Sequence, residues 1–295
     1  MSEIIKLNCP TGIHGTHTGD IYIAYTYNHI IKKLQSGTPN TITVAGGNGP
    51  GSSSDQLNYP NGIYVDRSGN LFVADTCNSR IQKWVPGATQ GVTVAGDNGY
   101  GSSANQLRYP KCVHIDDNGN LFIADTDNNR IQKWTPGATE GVTVAGGNGY
   151  GSAADQLSWP TGIHVDDNGN IFVADQPNHR IQKWTPGATQ GITVAGGNGW
   201  GSASDQLSWP NAVYVDGSGN IFVADTYNNR IQKWTPGATQ GATVAGGNGA
   251  GSAANQLSWP SEVHVDGNGN LFVVDKDNHR IQLWTQGDME GSTVI

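Results

Sequence analysis

Gln156-Leu157-Ser158-Trp159-Pro160-Thr161-Gly162-Ile163-His164-Val165-Asp166 returns fifty residues later as Gln206-Leu207-Ser208-Trp209-Pro210-Asn211-Ala212-Val213-Tyr214-Val215-Asp216. Pro10, Pro60, Pro110, Pro160, Pro210 and Pro260 keep that spacing with no insertion, so the 295 residues are six repeats of 50 with the last one five residues short. Repeats of this length mark a solenoid, a propeller or an array, and they override the two-domain expectation that length alone would give.

Each repeat holds four short β-like runs. In the second they are Gly62-Ile63-Tyr64-Val65-Asp66, Leu71-Phe72-Val73-Ala74-Asp75, Arg80-Ile81-Gln82-Lys83-Trp84 and Val92-Thr93-Val94-Ala95. Between them lie Gly, Asn and Pro-Gly, which supply the positive φ and the reversals that hairpins need. The second run is apolar at consecutive positions and is therefore expected to be covered on both faces. Helical periodicity is absent. The chain reads as all-β, a six-bladed β-propeller with four antiparallel strands per blade, and as a single propeller domain over 1–295 with blades near 10–46, 60–96, 110–146, 160–196, 210–246 and 260–295. The last run, Ser292 to Ile295, is expected to be the outer strand of the sixth blade, and residues 3–7 are a candidate to add beside it.

The stretch Asp75-Thr76-Cys77-Asn78-Ser79-Arg80-Ile81 recurs as Asp125 to Ile131, Asp175 to Ile181, Asp225 to Ile231 and Asp275 to Ile281. Together with the lead-in from Gln156 to Asp166, it resembles the NHL-repeat family over nearly the whole chain. That resemblance implies the propeller. It leaves the function open, since NHL propellers serve as protein-binding platforms, RNA readers, sensor domains and, in a few cases, metal-dependent enzymes. The first repeat departs from the pattern. Where the second has Asp66, Asp75, Arg80 and Trp84, it has Thr16, Tyr25, Ile30 and Leu34, which predicts that the acids and the arginine form one hydrogen-bonded framework set. Repeats 111–160 and 161–210 match at 37 of 50 positions, a uniformity that points to recent duplication or to design.

Charge and composition exclude several functions. Lys and Arg number 16 against 24 Asp and Glu, a formal charge of −8 with few basic residues in any one place, so no nucleic-acid partner is expected. Apolar runs of four or five residues cannot span a bilayer, and no membrane insertion is expected. The N-terminus lacks the apolar core of a secretory signal, no glycosylation sequon occurs, and Cys9, Cys77 and Cys112 suggest no disulfide framework. A cytoplasmic monomer is expected, unless a leader has been removed. Asp116-Asp117-Asn118-Gly119-Asn120 resembles the start of a calcium loop, but its glycine is misplaced and no glutamate follows at the twelfth position, so it reads as a hairpin turn.

Two slots vary as framework positions should not. His14, Tyr64, His114, His164, Tyr214 and His264 occupy the middle of the innermost strand, where they would border the central tunnel. Converging imidazoles there make His14, His114, His164 and His264 candidate ligands for a single metal ion, although no cofactor is otherwise called for. A metal-dependent lyase or hydrolase with Tyr64 or Tyr214 as acid or base is the alternative function. The resemblance to peptide-amidating lyases argues against carrying that over, because their metal histidines fall beside the slot proline, where this chain has Thr11, Lys111 and Thr161.

The second slot precedes each proline: Cys9, Tyr59, Tyr109, Trp159, Trp209 and Trp259. Tyr100, Tyr150 and Trp200 stand in glycine-rich loops just upstream. Aromatic faces next to short amide and hydroxyl groups, such as Ser158 and Thr161, can hold a protein segment or a glycan. The expected function is accordingly non-enzymatic: an interaction module or bare scaffold that uses one mouth of the ring, with Tyr59, Tyr109, Trp159, Trp209, Trp259, Tyr100, Tyr150 and Trp200 as ligand-binding residues. Trp84, Trp134, Trp184, Trp234 and Trp284 are expected between blades, and His29, His179 and His279 in turns.

Overall fold

Apolar runs become strands and the Gly, Asn and Pro between them become reversals. In the computed structural model, which describes residues 8–38, 40–96 and 98–295, each repeat forms one four-stranded antiparallel sheet in sequence order. In the second blade the strands are Pro60–Val65, Leu71–Asp75, Arg80–Trp84 and Val92–Gly96. Helical structure among the described residues is limited to single 3-10 turns between second and third strands, such as Thr76–Asn78. Ser292–Thr293 pairs with Arg280–Trp284, so the C-terminus supplies the outer strand of the sixth blade. The expected addition of residues 3–7 lies outside the described residues.

First strands neighbour one another around the axis, and Pro260–Val265 packs on Pro10–Gly15 to close the ring. Closure uses bonds of the kind that join other blades. The Cys9 N–H donates to His279 Nδ1 at 3.1 Å, and the Ser261 hydroxyl donates to the Thr11 carbonyl at 3.1 Å. The second strand Leu71–Asp75 is buried at all five positions, as its unbroken apolar run predicts. Each apolar cluster is shared between two blades: Phe72, Ala74 and Ile81 of the second pack with Val113, Ile123 and Trp134 of the third. The indoles of Trp84, Trp134, Trp184, Trp234 and Trp284 are buried in these seams. Inner strands approach so closely that a Cβ on Gly62 would stand 2.7 Å from the Lys111 carbonyl oxygen. In the same slot the other blades carry Gly12, Cys112, Gly162, Ala212 and Glu262.

The acids and the arginine form two separate sets, not one. Asp66 closes the turn between first and second strands: its Oδ1 accepts the N–H groups of Ser68 and Asn70, and its Oδ2 accepts Asn70 Nδ2. Asp75 and Arg80 are paired at 2.8 Å and hold the loop that leads into their own blade, since Arg80 donates to the carbonyls of Ser52, Ser53 and Gln56 while Asp75 accepts the Asn58 N–H. In the first blade Tyr25 and Ile30 instead join an apolar cluster with Val274 and Ile281.

Candidate functional site

The pre-proline slot is built from a strained backbone. Cys9, Tyr59, Tyr109, Trp159, Trp209 and Trp259 all have φ between 41° and 52°, in the left-handed region that side chains avoid. An inter-blade hydrogen bond offsets the cost in most blades. The N–H of Tyr59 donates to His29 Nδ1, that of Trp159 to Asn129 Oδ1, that of Trp209 to His179 Nδ1 and that of Trp259 to Asn229 Oδ1, all at 2.9–3.1 Å. His29, His179 and His279 are turn residues as expected, each itself at positive φ, and they also serve as these acceptors.

Held this way, the aromatic side chains stay open to solvent and meet residues of the preceding blade. Tyr59 packs edge-on to His29 and Tyr27. Tyr227 lies between Trp209 and Trp259, with centroids 5.5 and 4.7 Å away, joining two blades in one aromatic strip. Of the loop aromatics, Tyr100 meets Tyr109 at 6.2 Å and receives the Arg108 guanidinium over its ring, and Trp200 donates its indole N–H to the Ser208 hydroxyl beside Trp209. Tyr150 is 63 % exposed and Trp200 70 %. Tyr150 has no ring partner among the described residues.

The short polar groups expected to flank the aromatics are largely committed elsewhere. Ser158 and Ser208 are buried, as are Thr11, Thr161 and Ser261. Thr161 donates to the Asn211 carbonyl, Asn211 to the Ser261 carbonyl and Ser261 to the Thr11 carbonyl, a girdle that fastens one blade to the next. The sequence shows these residues beside the aromatics, but not that the bulged start of each strand turns them inward.

The His/Tyr slot does face the axis. His14, Tyr64, His114, His164, Tyr214 and His264 form a closed circle in which adjacent centroids are 4.5–5.6 Å apart. A hexagon with sides of about 5 Å also has a radius of about 5 Å, so a ring nitrogen aimed at the axis stops about 4 Å short, twice a zinc–nitrogen bond of roughly 2.0–2.1 Å. Among the described residues, no three His, Cys, Asp or Glu side chains come together to hold a metal ion. For the tunnel-metal expectation at His14, His114, His164 and His264 no ligand cluster is present among the described residues, and the rings meet their neighbours tilted or edge-on around the circumference. Burial lowers all four imidazoles, to about 3 for His14, to about 4 for His164 and His264, and well below the ordinary value for His114.

Sequence reasoning missed Glu262. Its slot is filled by glycine in three blades, and departure from that pattern was the available signal. On the inner strand Pro260–Val265 the side chain has no ion-pair partner among the described residues, and burial pushes its carboxyl up to about 8. The unfolded chain ionises this group from about 4.5, whereas the folded chain keeps the proton until about 8, so its contribution to stability declines as pH rises through that window. Glu262→Gln should therefore raise the unfolding free energy by about 2–4 kcal/mol at pH 8 and have little effect at pH 4.5, as read by denaturant titration at the two values. Equal effects at both would show that the carboxyl is already ionised in the fold.

An NHL-repeat family model matches residues 57–84, 107–134, 157–184 and 207–234. No curated protein matches the chain in sequence. Among solved structures, a Bacteroides thetaiotaomicron protein of unknown function superposes with a TM-score of 0.74 at 15 % identity, over 95 % of this chain and 70 % of that one. A catalytically inactive virginiamycin B lyase from Staphylococcus aureus, solved with quinupristin, gives a TM-score of 0.61 at 11 % identity over 99 % and 86 %. A chain of the nidogen/laminin complex gives 0.62 at 19 % identity over 80 % of each. At such identities the likeness is one of fold. The four matched segments span the lead-in, the first three strands and the Asp-to-Arg turn of blades two to five, so the chain carries NHL repeats in four tandem positions within a six-bladed β-propeller.

Proposed function

We propose that the chain is a non-catalytic interaction module that holds an extended protein segment on its aromatic mouth. The observation that carries this reading is the left-handed pre-proline backbone, repeated in every blade, which keeps Tyr59, Tyr109, Trp159 and Trp259 about two-fifths or more exposed at the expense of local strain. Large, stiff aromatics of this kind supply most of the energy at protein interfaces. Repetition over neighbouring blades suits an extended ligand gripped at several points. A segment is favoured over a glycan because most of the adjacent hydroxyls are buried and already hydrogen-bonded within the protein, leaving few polar groups to read a sugar. Likeness to a chain of the nidogen/laminin complex is a fold-level analogy in the same direction.

The test is a peptide selected from a displayed library on the wild-type chain, followed by titration calorimetry with Trp159→Ala and Trp209→Ala. Each substitution is expected to weaken binding about tenfold or more, the ordinary scale for a central aromatic contact. Unchanged affinity in both variants removes the aromatic mouth as the site. Trp-dependent capture on a glycan array without peptide binding would give the mouth to sugars instead.

A further inference from the structure

The opposite mouth of the ring has a different chemistry. It is formed by the turns between first and second strands, and it contains a cavity of about 630 Å³, within the range of small-molecule sites. Tyr64, His114, His164 and Tyr214 form its floor, and its wall carries six aspartates against one arginine, Arg67.

Four of those aspartates are occupied by their turns. In each of Asp66, Asp116, Asp166 and Asp216, Oδ1 accepts two backbone N–H groups and Oδ2 accepts an asparagine amide. They contribute negative potential without being free to chelate. Asp117 and Asp167 lie outside these bonds. Asp117 already pairs with the Arg67 guanidinium at 3.2 Å, with both side chains well exposed. The wall thus accepts a guanidinium in one place and has no matching cation elsewhere. The floor adds polar groups open to the cavity. His114 and His164 are enclosed by protein except on the cavity side, and among the described residues neither imidazole has a hydrogen-bond partner. Neutral imidazole and phenol can each accept a hydrogen bond from an N–H, and the Tyr64 and Tyr214 rings can face a cation.

We propose that this mouth is a second binding site, for an organic cation carrying two or more amino or guanidino groups. The wall supplies diffuse negative charge, Asp117 and Asp167 supply direct ion pairs, and the imidazole and phenol floor receives one N–H head. A compact metal ion has no cluster of ligands here, whereas an extended polycation can satisfy charges spread around a rim. The same chemistry occurs in a free polyamine and in an arginine-rich peptide, and the test separates the two.

Titration calorimetry with spermine and with a tetra-arginine peptide, each at 20 and 300 mM NaCl, reads the site directly. Spermine is expected to bind once per chain and to weaken strongly at the higher salt, where screening shortens the reach of the wall. Asp117→Asn with Asp167→Asn, which leaves every turn bond in place, should weaken binding at least tenfold. Arg67→Ser should tighten it several-fold by freeing Asp117, and His164→Phe should weaken it by removing an acceptor. Circular dichroism and thermal melts establish that each variant is folded. Tighter binding of the peptide than of spermine assigns the site to a basic segment of the same chemistry. The proposal is overturned if neither probe binds, if the double asparagine variant binds like the wild type, or if magnesium at equal ionic strength displaces spermine one for one.

Discussion

Asp175→Ala is expected to lower the unfolding free energy by about 3–5 kcal/mol, because it removes one partner of a buried ion pair and leaves the other uncompensated. Asp175 is inaccessible to solvent. Its Oδ1 accepts the Ser158 N–H at 2.7 Å, and its Oδ2 accepts Asn178 Nδ2 at 2.9 Å and Arg180 Nε at 2.7 Å. Burial raises its carboxyl, with the bonds from Asn178, Ser158 and Arg180 acting in the other direction. Arg180 in turn donates to the carbonyls of Ser152, Ala153 and Gln156. Alanine at 175 would strand the guanidinium among carbonyls and orphan the Ser158 N–H, so the loop that carries Trp159 should loosen along with the blade. Arg180→Ala should cost a similar amount, and the double variant much less than the sum, since the two residues act as one unit. Denaturant unfolding of the four proteins provides the cycle. Single losses below about 1 kcal/mol, or strict additivity, would mean the pair does not hold the loop.

The fold was legible because the repeat keeps its period without a gap, and because strand and turn chemistry agree in every copy. Trp84 and its counterparts could be placed between blades from their position on the third strand, and they lie there, buried in the seams. The site was less legible, for two physical reasons. Period-two alternation says which residues share a face, but the bulge at the start of each first strand shifts the register after the proline, and this is what buries Thr161 and Ser261. The left-handed backbone at Trp159 was hidden too, since a residue before proline is ordinarily extended. It depends on an acceptor, Asn129, thirty residues earlier in another blade. Glu262 illustrates the limit of averaging over repeats. It is the one carboxyl in a slot otherwise filled mostly by glycine, and the ring makes that departure matter by closing protein around it.

Acid should melt the protein from its axis. The four imidazoles of the central circle have folded values near 3 or 4, or well below the ordinary value, whereas in the unfolded chain each returns to about 6.5. Below 6.5 the unfolded state therefore binds more protons than the folded one, and stability falls as pH drops from 6.5 towards 4, having been fully present above that window. Desolvation is the leading cause for every member, and for three of them another histidine of the circle adds like-charge repulsion, so each proton that enters the circle makes the next harder to accept. Allowing for screening by the cavity, the loss between pH 7 and pH 4 from this circle should be on the order of 5 kcal/mol. Tyrosine already fills the same slot at Tyr64 and Tyr214, so His164→Tyr and His264→Tyr are substitutions the architecture accommodates, and each should move the acid unfolding midpoint to lower pH. Carboxylates elsewhere also titrate in this range, which makes the imidazole proton signals the decisive reading: they should show neutral rings in the folded protein at pH 5. Rings that titrate near 6.5 while the fold is intact would mean that water and protons reach the circle freely, and the acid sensitivity would then have to come from another part of the molecule.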